Sequence, residues 1–326
     1  MTSKRAVLDV GRMLQLLGPI VGLGFVVLIF SGTRGFLTPL NVSIVLTQTV
    51  IVALGAIGMT MIIVGGGIDL SVGSIVALTG VVAAVAIESN WPTALVIMAA
   101  IAAGGACGFM NGAIIACFGM TPFIVTLGMM GVARGLAKWL GQNQTVNYSP
   151  GHAINRLMNN PLEINGMEVP LWMPPLGVLV ALLAAGVMSV ILVRTVFGRR
   201  IYALGSNEAT ARLCGIRTTR LKVVLYTVAG FFYGLAGLMQ LSRLQQGDPT
   251  IAIGLELDVI AAVVIGGASL AGGSGSIPGA MIGALTMAVL RNGSDQMGWE
   301  SYIQEIIIGA VIILAVGLDK LRRRTS

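Results

Sequence analysis

Apolar residues in this chain come in long unbroken runs, not in the alternation or 3.6-residue spacing of a water-soluble fold. The runs cover 13–30, 42–64, 70–87, 93–117, 121–140, 171–193, 221–241, 257–271, 276–292 and 301–318. A helix needs roughly 20 apolar residues to cross about 30 Å of hydrocarbon, and most of these runs come close to that length. No water is available there for backbone N–H and C=O groups, so each run is expected to be a helix. The predicted fold is all-α: a polytopic transmembrane bundle of about ten helices with glycine-broken segments, one membrane-spanning domain over 1–326. The eighth and ninth runs are short and interrupted by glycine. They predict either two crossings or a re-entrant pair, which would leave eight complete spans. Lys4, Arg5 and Arg12 precede the first run in the charge order of a signal peptide. The run is long, lacks a clear small-residue cleavage site and is followed by further spans, so it reads as an uncleaved first helix.

Two polar stretches between the runs are long enough to meet other molecules. Residues 141–170 are rich in Asn, Pro and Gly, whereas 194–220 are basic. Inside the second, Asn207 is placed to cap a short helix, with Glu208 and Ala209 in its first turn and Gly215 at its end. Such a helix, on a basic loop, needs a surface to dock on. Two further segments, Val64 to Ser74 and Ile265 to Ser276, each join apolar runs through a glycine-rich, serine-bearing break. They are too dissimilar to establish duplication, but breaks of this kind often line a transport path.

Composition strengthens the membrane reading. Charged residues make up 10% of the chain and apolar ones 56%, against about 25% charged in a soluble domain. The net charge of +7 does not indicate nucleic acid, because the basic residues flank apolar spans and carry no stacking aromatics among them. With the N-terminus inside, 14 of the 20 Lys and Arg fall on one side: those before the first run, those from Arg194 to Lys222, and Lys320, Arg322, Arg323 and Arg324. That bias predicts cytoplasmic termini, a cytoplasmic 194–220 loop and an external 141–170 loop.

The chemistry-bearing residues are few. Cys107 and Cys117 lie ten positions apart on one predicted helix, about 15 Å along its axis and beyond disulfide reach. His152 is the single histidine, and no metal cluster is expected. No catalytic constellation stands out, so the chain is not read as an enzyme. None of the four lysines follows a glycine, which excludes a phosphate-binding Gly-Lys-Ser/Thr loop. Proton or sodium coupling generally needs ionisable groups inside the spans, and Asp69, in the first glycine break, is the only acid near a helix interior. It either caps the helix starting near Leu70, through the N–H groups of Ser71 and Val72, or faces a passing hydroxylated solute. Gly104, Gly108 and Gly112 form a small-residue ridge, as do the pairs Gly131/Gly135, Gly230/Gly234 and Gly279/Gly283. Close helix packing is their expected use, and Asn111 beside the first ridge suits an interhelical hydrogen bond or a substrate contact. Arg243, Asp248, Glu256 and Asp258 form an external charged cluster, either a solvated loop or a docking surface.

Three motifs are more specific. The run Gly67-Ile68-Asp69-Leu70-Ser71-Val72-Gly73-Ser74, the stretch Tyr202 to Ile216, and the stretch Glu256 to Gly273 resemble, in order and spacing, the ribose-type monosaccharide ABC transporter permeases. Thr121 to Met129 and Gly198-Arg199-Arg200 are similar too, so the resemblance runs from about Phe36 to the C-terminus. It implies a subunit of an ATP-driven importer in the bacterial inner membrane, moving a monosaccharide such as the pentose ribose by alternating access. It also implies a permease homodimer or heterodimer, a cytoplasmic ABC ATPase that binds the ATP, and a periplasmic or extracellular sugar-binding protein. No cofactor is expected in this chain. Gly205, Asn207, Glu208, Ala209, Arg212 and Gly215 would couple it to the ATPase. Asp69, Ser71, Ser74, Asn111 and Ser269 are the candidate translocation-path residues. The alternatives are the same machinery with another cargo, such as a branched-chain amino acid, or a facilitator working alone.

Overall fold

The structure, a computed structural model, describes residues 17–149, 151–159, 163–164, 167–168 and 173–324. Lys4, Arg5, Arg12 and parts of the 141–170 loop lie outside the described residues. Each of the ten apolar runs contributes one helix: α1 (Leu17–Phe30), α2 (Pro39–Val64), α3 (Val72–Glu88), α4 (Thr93–Phe118), α5 (Pro122–Leu140), α6 (Leu176–Arg194), α9 (Thr218–Leu244), α10 (Leu255–Ile265), α11 (Ile277–Gln296) and α12 (Ser301–Arg324). Two more, α7 (Val196–Ser206) and α8 (Glu208–Leu213), fold within the 194–220 loop. The fold is a helical membrane bundle, as its apolar runs require. Of its helices, α2, α4, α5, α6 and α9 are long and apolar enough to cross a bilayer unaided.

The starts and stops obey local chemistry. Thr38 caps α2 by accepting from the Asn41 N–H, and Pro39 fills the first turn, where a missing N–H costs nothing. Ser276 does the same for α11, accepting from the Gly279 N–H. α4 stops at Gly119, whose φ of +65° is left-handed. The two short runs behave differently from each other. α10 has 11 residues, about 16 Å, and cannot cross the hydrocarbon. α11 has 20 residues, about 30 Å, longer than the apolar run alone indicated because the helix continues through Arg291 to Gln296.

The core forms where α2, α3, α4 and α9 meet. α2 is buried from Thr49 to Val64 without a polar face, as expected for a helix surrounded by others. α4 and α9 approach closely through glycine: a side chain at Gly104 would strike the backbone at Gly230 and Gly234, and one at Gly108 the backbone at Tyr226 and Gly230. Gly279 and Gly283 likewise sit on the backbone of Gly266 and Ala262. Gly131 and Gly135 break this rule, since nothing lies near either. The outward face of α6 presents Leu182, Leu183, Val187, Val190 and Val193, a surface suited to lipid.

Among the described residues the strands are four, of two residues each. β1 (Val146–Asn147) pairs antiparallel with β4 (Gln246–Gly247), Val146 opposite Gly247, and β2 (Glu163–Ile164) pairs with β3 (Met167–Glu168). The first pair joins the 141–149 segment to the loop after α9, so both lie on one face of the bundle. Arg134 of α5 secures that loop by donating to the carbonyls of Pro249 and Ile251, each at 2.7 Å. α7 and α8 lie toward the opposite end.

Candidate coupling and translocation site

The short helix α8 is built as its residues dictate. Asn207 is extended, and its Oδ1 accepts from the Thr210 N–H at 2.9 Å. At the other end Gly215 takes φ +80°, its N–H bonding to Arg212 O and the Ile216 N–H to Ala211 O. This paired closure is a Schellman cap, and it requires a residue that tolerates positive φ. Glu208 joins Arg212 one turn on at 3.3 Å and Lys222 of α9 at 2.8 Å. The Arg212 pair is largely exposed and worth at most about 1 kcal/mol; the Lys222 contact fixes α8 against α9. Ala211 turns inward, while Ala209, Thr210 and Arg212 are exposed. Leu213 is 88% exposed, an apolar side chain presented to whatever lies beyond the helix.

Just before α8, Gly205 is wedged against both glycine breaks. A side chain there would run into the Val64 carbonyl at the end of α2 and the Gly273 N–H after α10. Those two groups are themselves bonded, Gly273 N–H to Val64 O at 2.9 Å. Gly66, Gly272 and Gly273 all adopt positive φ around this point, and side chains at Gly272 or Gly273 would meet Gly205 and Ser206. Tyr202 adds a hydroxyl bond to Gly275 O at 2.7 Å. Burial raises its phenol above the ordinary value, keeping it a neutral donor. Three glycine segments far apart in sequence thus form one backbone-to-backbone contact.

The first break then turns inward to a polar network. Asp69 Oδ1 accepts from the Ser71 N–H at 2.8 Å and from the Ser71 hydroxyl at 2.5 Å. Asn111 Nδ2 of α4 donates to Ser71 Oγ at 3.0 Å. Leu70 N–H donates to Thr126 Oγ1 of α5 at 3.1 Å. Ser74 Oγ closes the group on Ser71 O at 3.2 Å. Asp69, Ser71, Ser74 and Asn111 are all essentially inaccessible. Asp69 satisfies the Ser71 N–H, one of the two groups expected of a cap, while the helix itself begins at Val72. Ser269 is also buried but belongs to the second break, where its Oγ accepts from the Ala271 N–H.

A family model described as the branched-chain amino acid transport system / permease component matches residues 41–316. The chain belongs to that family. The ribose import permease protein RbsC of Bacillus subtilis (strain 168) is 42% identical over 310 residues, 94% of each chain. RbsC of Escherichia coli (strain K12) is 43% identical over 291 residues, 87% of each chain. The xylose transport system permease protein XylH of Escherichia coli (strain K12) is 33% identical over 370 aligned residues, 96% of this chain and 93% of its own. The likeness to the ribose-type permeases therefore covers most of the chain. No solved structure matches significantly.

In this permease the sequence grouping of Arg243, Asp248, Glu256 and Asp258 divides, since Arg243 and Asp258 line one cavity and Asp248 and Glu256 do not. Asp248 closes a local turn by accepting from the Thr250 N–H and hydroxyl, each at 2.7 Å. Asp258 lies in the first turn of α10, 4% exposed, and pairs with Arg291 of α11 at 2.7 Å. Asp69 is therefore not the only acid inside the bundle. Asp258 reads as a loop residue in sequence because it stands at the edge of an apolar run; the shortness of α10 is what places it inside. The contacts of Lys222, Tyr202 and Thr126 were not visible in the sequence, since their partners lie 14, 73 and 56–58 positions away.

Proposed function

We propose that this chain is the membrane subunit of an ATP-driven importer that moves a pentose of the ribose kind across the bacterial inner membrane. The observation that carries the reading is the contact of Gly205 with both helix breaks, immediately before a capped helix whose Leu213 is exposed. A displacement of α8 has a rigid route, through backbone alone, to the ends of α2 and α10. The relatives whose names specify ribose, arabinose and xylose support the cargo class. The lack of any Gly-Lys pair in the chain supports a separate ATPase that holds ATP.

In this reading Gly205, Asn207, Glu208, Ala209, Arg212 and Gly215 form the coupling element, with Leu213 seated on the ATPase. Asp69, Ser71, Ser74, Asn111 and Ser269 hold the wall of the path firm from behind. The permease is a single membrane domain with both termini cytoplasmic. It works as a homodimer or beside a second permease, and receives sugar from a binding protein on the far face.

The test is uptake of radiolabelled D-ribose into right-side-out vesicles carrying the complete transporter, loaded or not with ATP, so that the nucleotide lies at the cytoplasmic face. Glu208→Lys reverses the charge facing Lys222 and should abolish ATP-dependent uptake while leaving the chain in the membrane. Undiminished uptake in that variant would remove α8 from the coupling role. ATP-dependent uptake of leucine in place of any pentose would replace the cargo.

A further inference from the structure

The polar cavity lined by Arg243, Asp258 and Arg291 lies at the end of α9. At the start of the same helix, where α7 and the turn closing α8 meet it, a cavity of about 500 Å³ opens. Arg200 of α7, Arg217 just before α9 and Arg220 in its first turn line it, together with Phe197, Leu221 and Val224. The sequence makes this end of the bundle lopsided, with seven basic residues and one acid, Glu208, from Arg194 to Lys222. Glu208 is already taken by Arg212 and Lys222. Among the described residues, no carboxylate lines the cavity, and Arg200, Arg217 and Arg220 have none within ion-pair distance.

Position narrows the chemistry of what fits there. α6 ends at Arg194 and α9 begins at Thr218, and both helices are long and apolar enough to cross a bilayer. The arginines therefore stand where spans meet the lipid headgroups. Next to them the surface is apolar and open. Val193 and Val196, just before Phe197, are exposed, as are Val224 and Phe231, which follow Arg220 along one face of α9. The planar fork of a guanidinium matches the oxygens of a phosphate. Free phosphate would satisfy the charge and leave Phe197, Leu221 and Val224 uncovered. An acidic soluble protein would leave Val224 and Phe231 facing the bilayer. A phosphate carried on hydrocarbon covers both parts of the surface at once.

We infer that this cavity binds an anionic phospholipid. Arg200, Arg217 and Arg220 hold the headgroup, and an acyl chain runs along α9 over Val224 and Phe231. The headgroup lies against Gly215 and Ile216, the turn that closes α8, so an occupied site braces that helix. The inference rests on the membrane fold and on the charge of this end, and it stands whatever solute the chain moves.

The experiment titrates the full chain, delipidated in mild detergent, with phosphatidylglycerol, phosphatidylcholine or inorganic phosphate. Bound lipid is counted by native mass spectrometry, and the melting temperature is read alongside. Phosphatidylglycerol should bind about tenfold or more tighter than phosphatidylcholine, and it should raise the melting temperature where inorganic phosphate at the same concentration does not. Arg217→Gln with Arg220→Gln should weaken phosphatidylglycerol about 30-fold, and Arg200→Gln, on another helix, about fivefold. Unchanged melting temperatures in phosphatidylcholine would show that these variants fold. Arg194→Gln with Arg199→Gln removes the same charge from residues outside the cavity and should leave the affinity unchanged. Equal losses in the two paired variants would reduce the effect to diffuse charge and overturn the site. Equal stabilisation by inorganic phosphate would overturn the lipid as its ligand. Wild-type lipid affinity in Arg217→Gln/Arg220→Gln, with loss of a co-purifying ATPase, would assign the surface to a protein partner instead. Absence of ribose uptake strikes the importer reading alone and leaves the lipid site standing.

Discussion

The chain breaks two of its helical runs with glycine, after α2 and after α10, and closes the two helices identically. Gly65, Gly66 and Gly67 donate to Met61, Ile63 and Ile62; Gly266, Gly267 and Ala268 donate to Ala262, Val264 and Val263. The bond pattern and the positive φ of the second residue, +85° at Gly66 and +88° at Gly267, are the same. Beyond the two caps the chain behaves differently. The first break is tied down by side chains of other helices, Asn111 on Ser71 and Thr126 on Leu70. The second is longer and carries four glycines at positive φ, Gly267, Gly272, Gly273 and Gly275. Its contacts to the rest of the chain run largely through backbone, to Val64 O and from Tyr202. One closure thus serves two purposes. Side chains of α4 and α5 anchor the first break, and the Tyr202 hydroxyl together with the backbone bond to Val64 holds the second.

Substitutions that hit both breaks, then the first alone, then the second alone should separate these roles. Gly205→Val puts branched carbon against the Val64 carbonyl and the Gly273 N–H at once, and neither is a flexible side-chain end. A loss of about 3 kcal/mol or more is expected, seen as a large fall in melting temperature in mild detergent together with loss of uptake. Asp69→Ala deprives the buried Ser71 N–H and hydroxyl of their acceptor and should cost about 2–3 kcal/mol. Hydrogen exchange should then quicken in 65–71 and stay unchanged in 266–276; equal quickening in both would abolish the distinction. Tyr202→Phe removes one bond, to Gly275 O, worth about 1 kcal/mol. Here exchange should rise in 266–276 alone.

Much of this was legible from sequence, and the boundary of legibility has a physical cause. The helices come from apolar run length, and the Asn207 and Gly215 caps come from chemistry acting within one turn. Glycine spacing was a weaker guide. Gly104/Gly108/Gly112 and Gly131/Gly135 share the same four-residue spacing, yet the first set meets α9 and the second meets nothing. Spacing fixes which residues share a helix face, whereas the partner of that face depends on the whole bundle. For the same reason the meeting of Gly205 with Val64 and Gly273 was not visible, since each glycine alone reads as a loop or a helix end. The polar cavity was hidden as well: Arg291 and Asp258, 33 positions apart, each read as the hydrophilic margin of a span.

The shortness of α10 also has an electrical consequence. Water filling the cavity lined by Asp258 and Arg291, beside this 11-residue helix, would carry the potential of its own side down to that pair. The membrane voltage, about 2.3 kcal/mol per elementary charge at 100 mV, then falls across the remaining thickness alone, where the field is correspondingly steeper. The charged pair would then sit outside that drop, and a neutral cargo, as proposed for this chain, would cross it without electrical work.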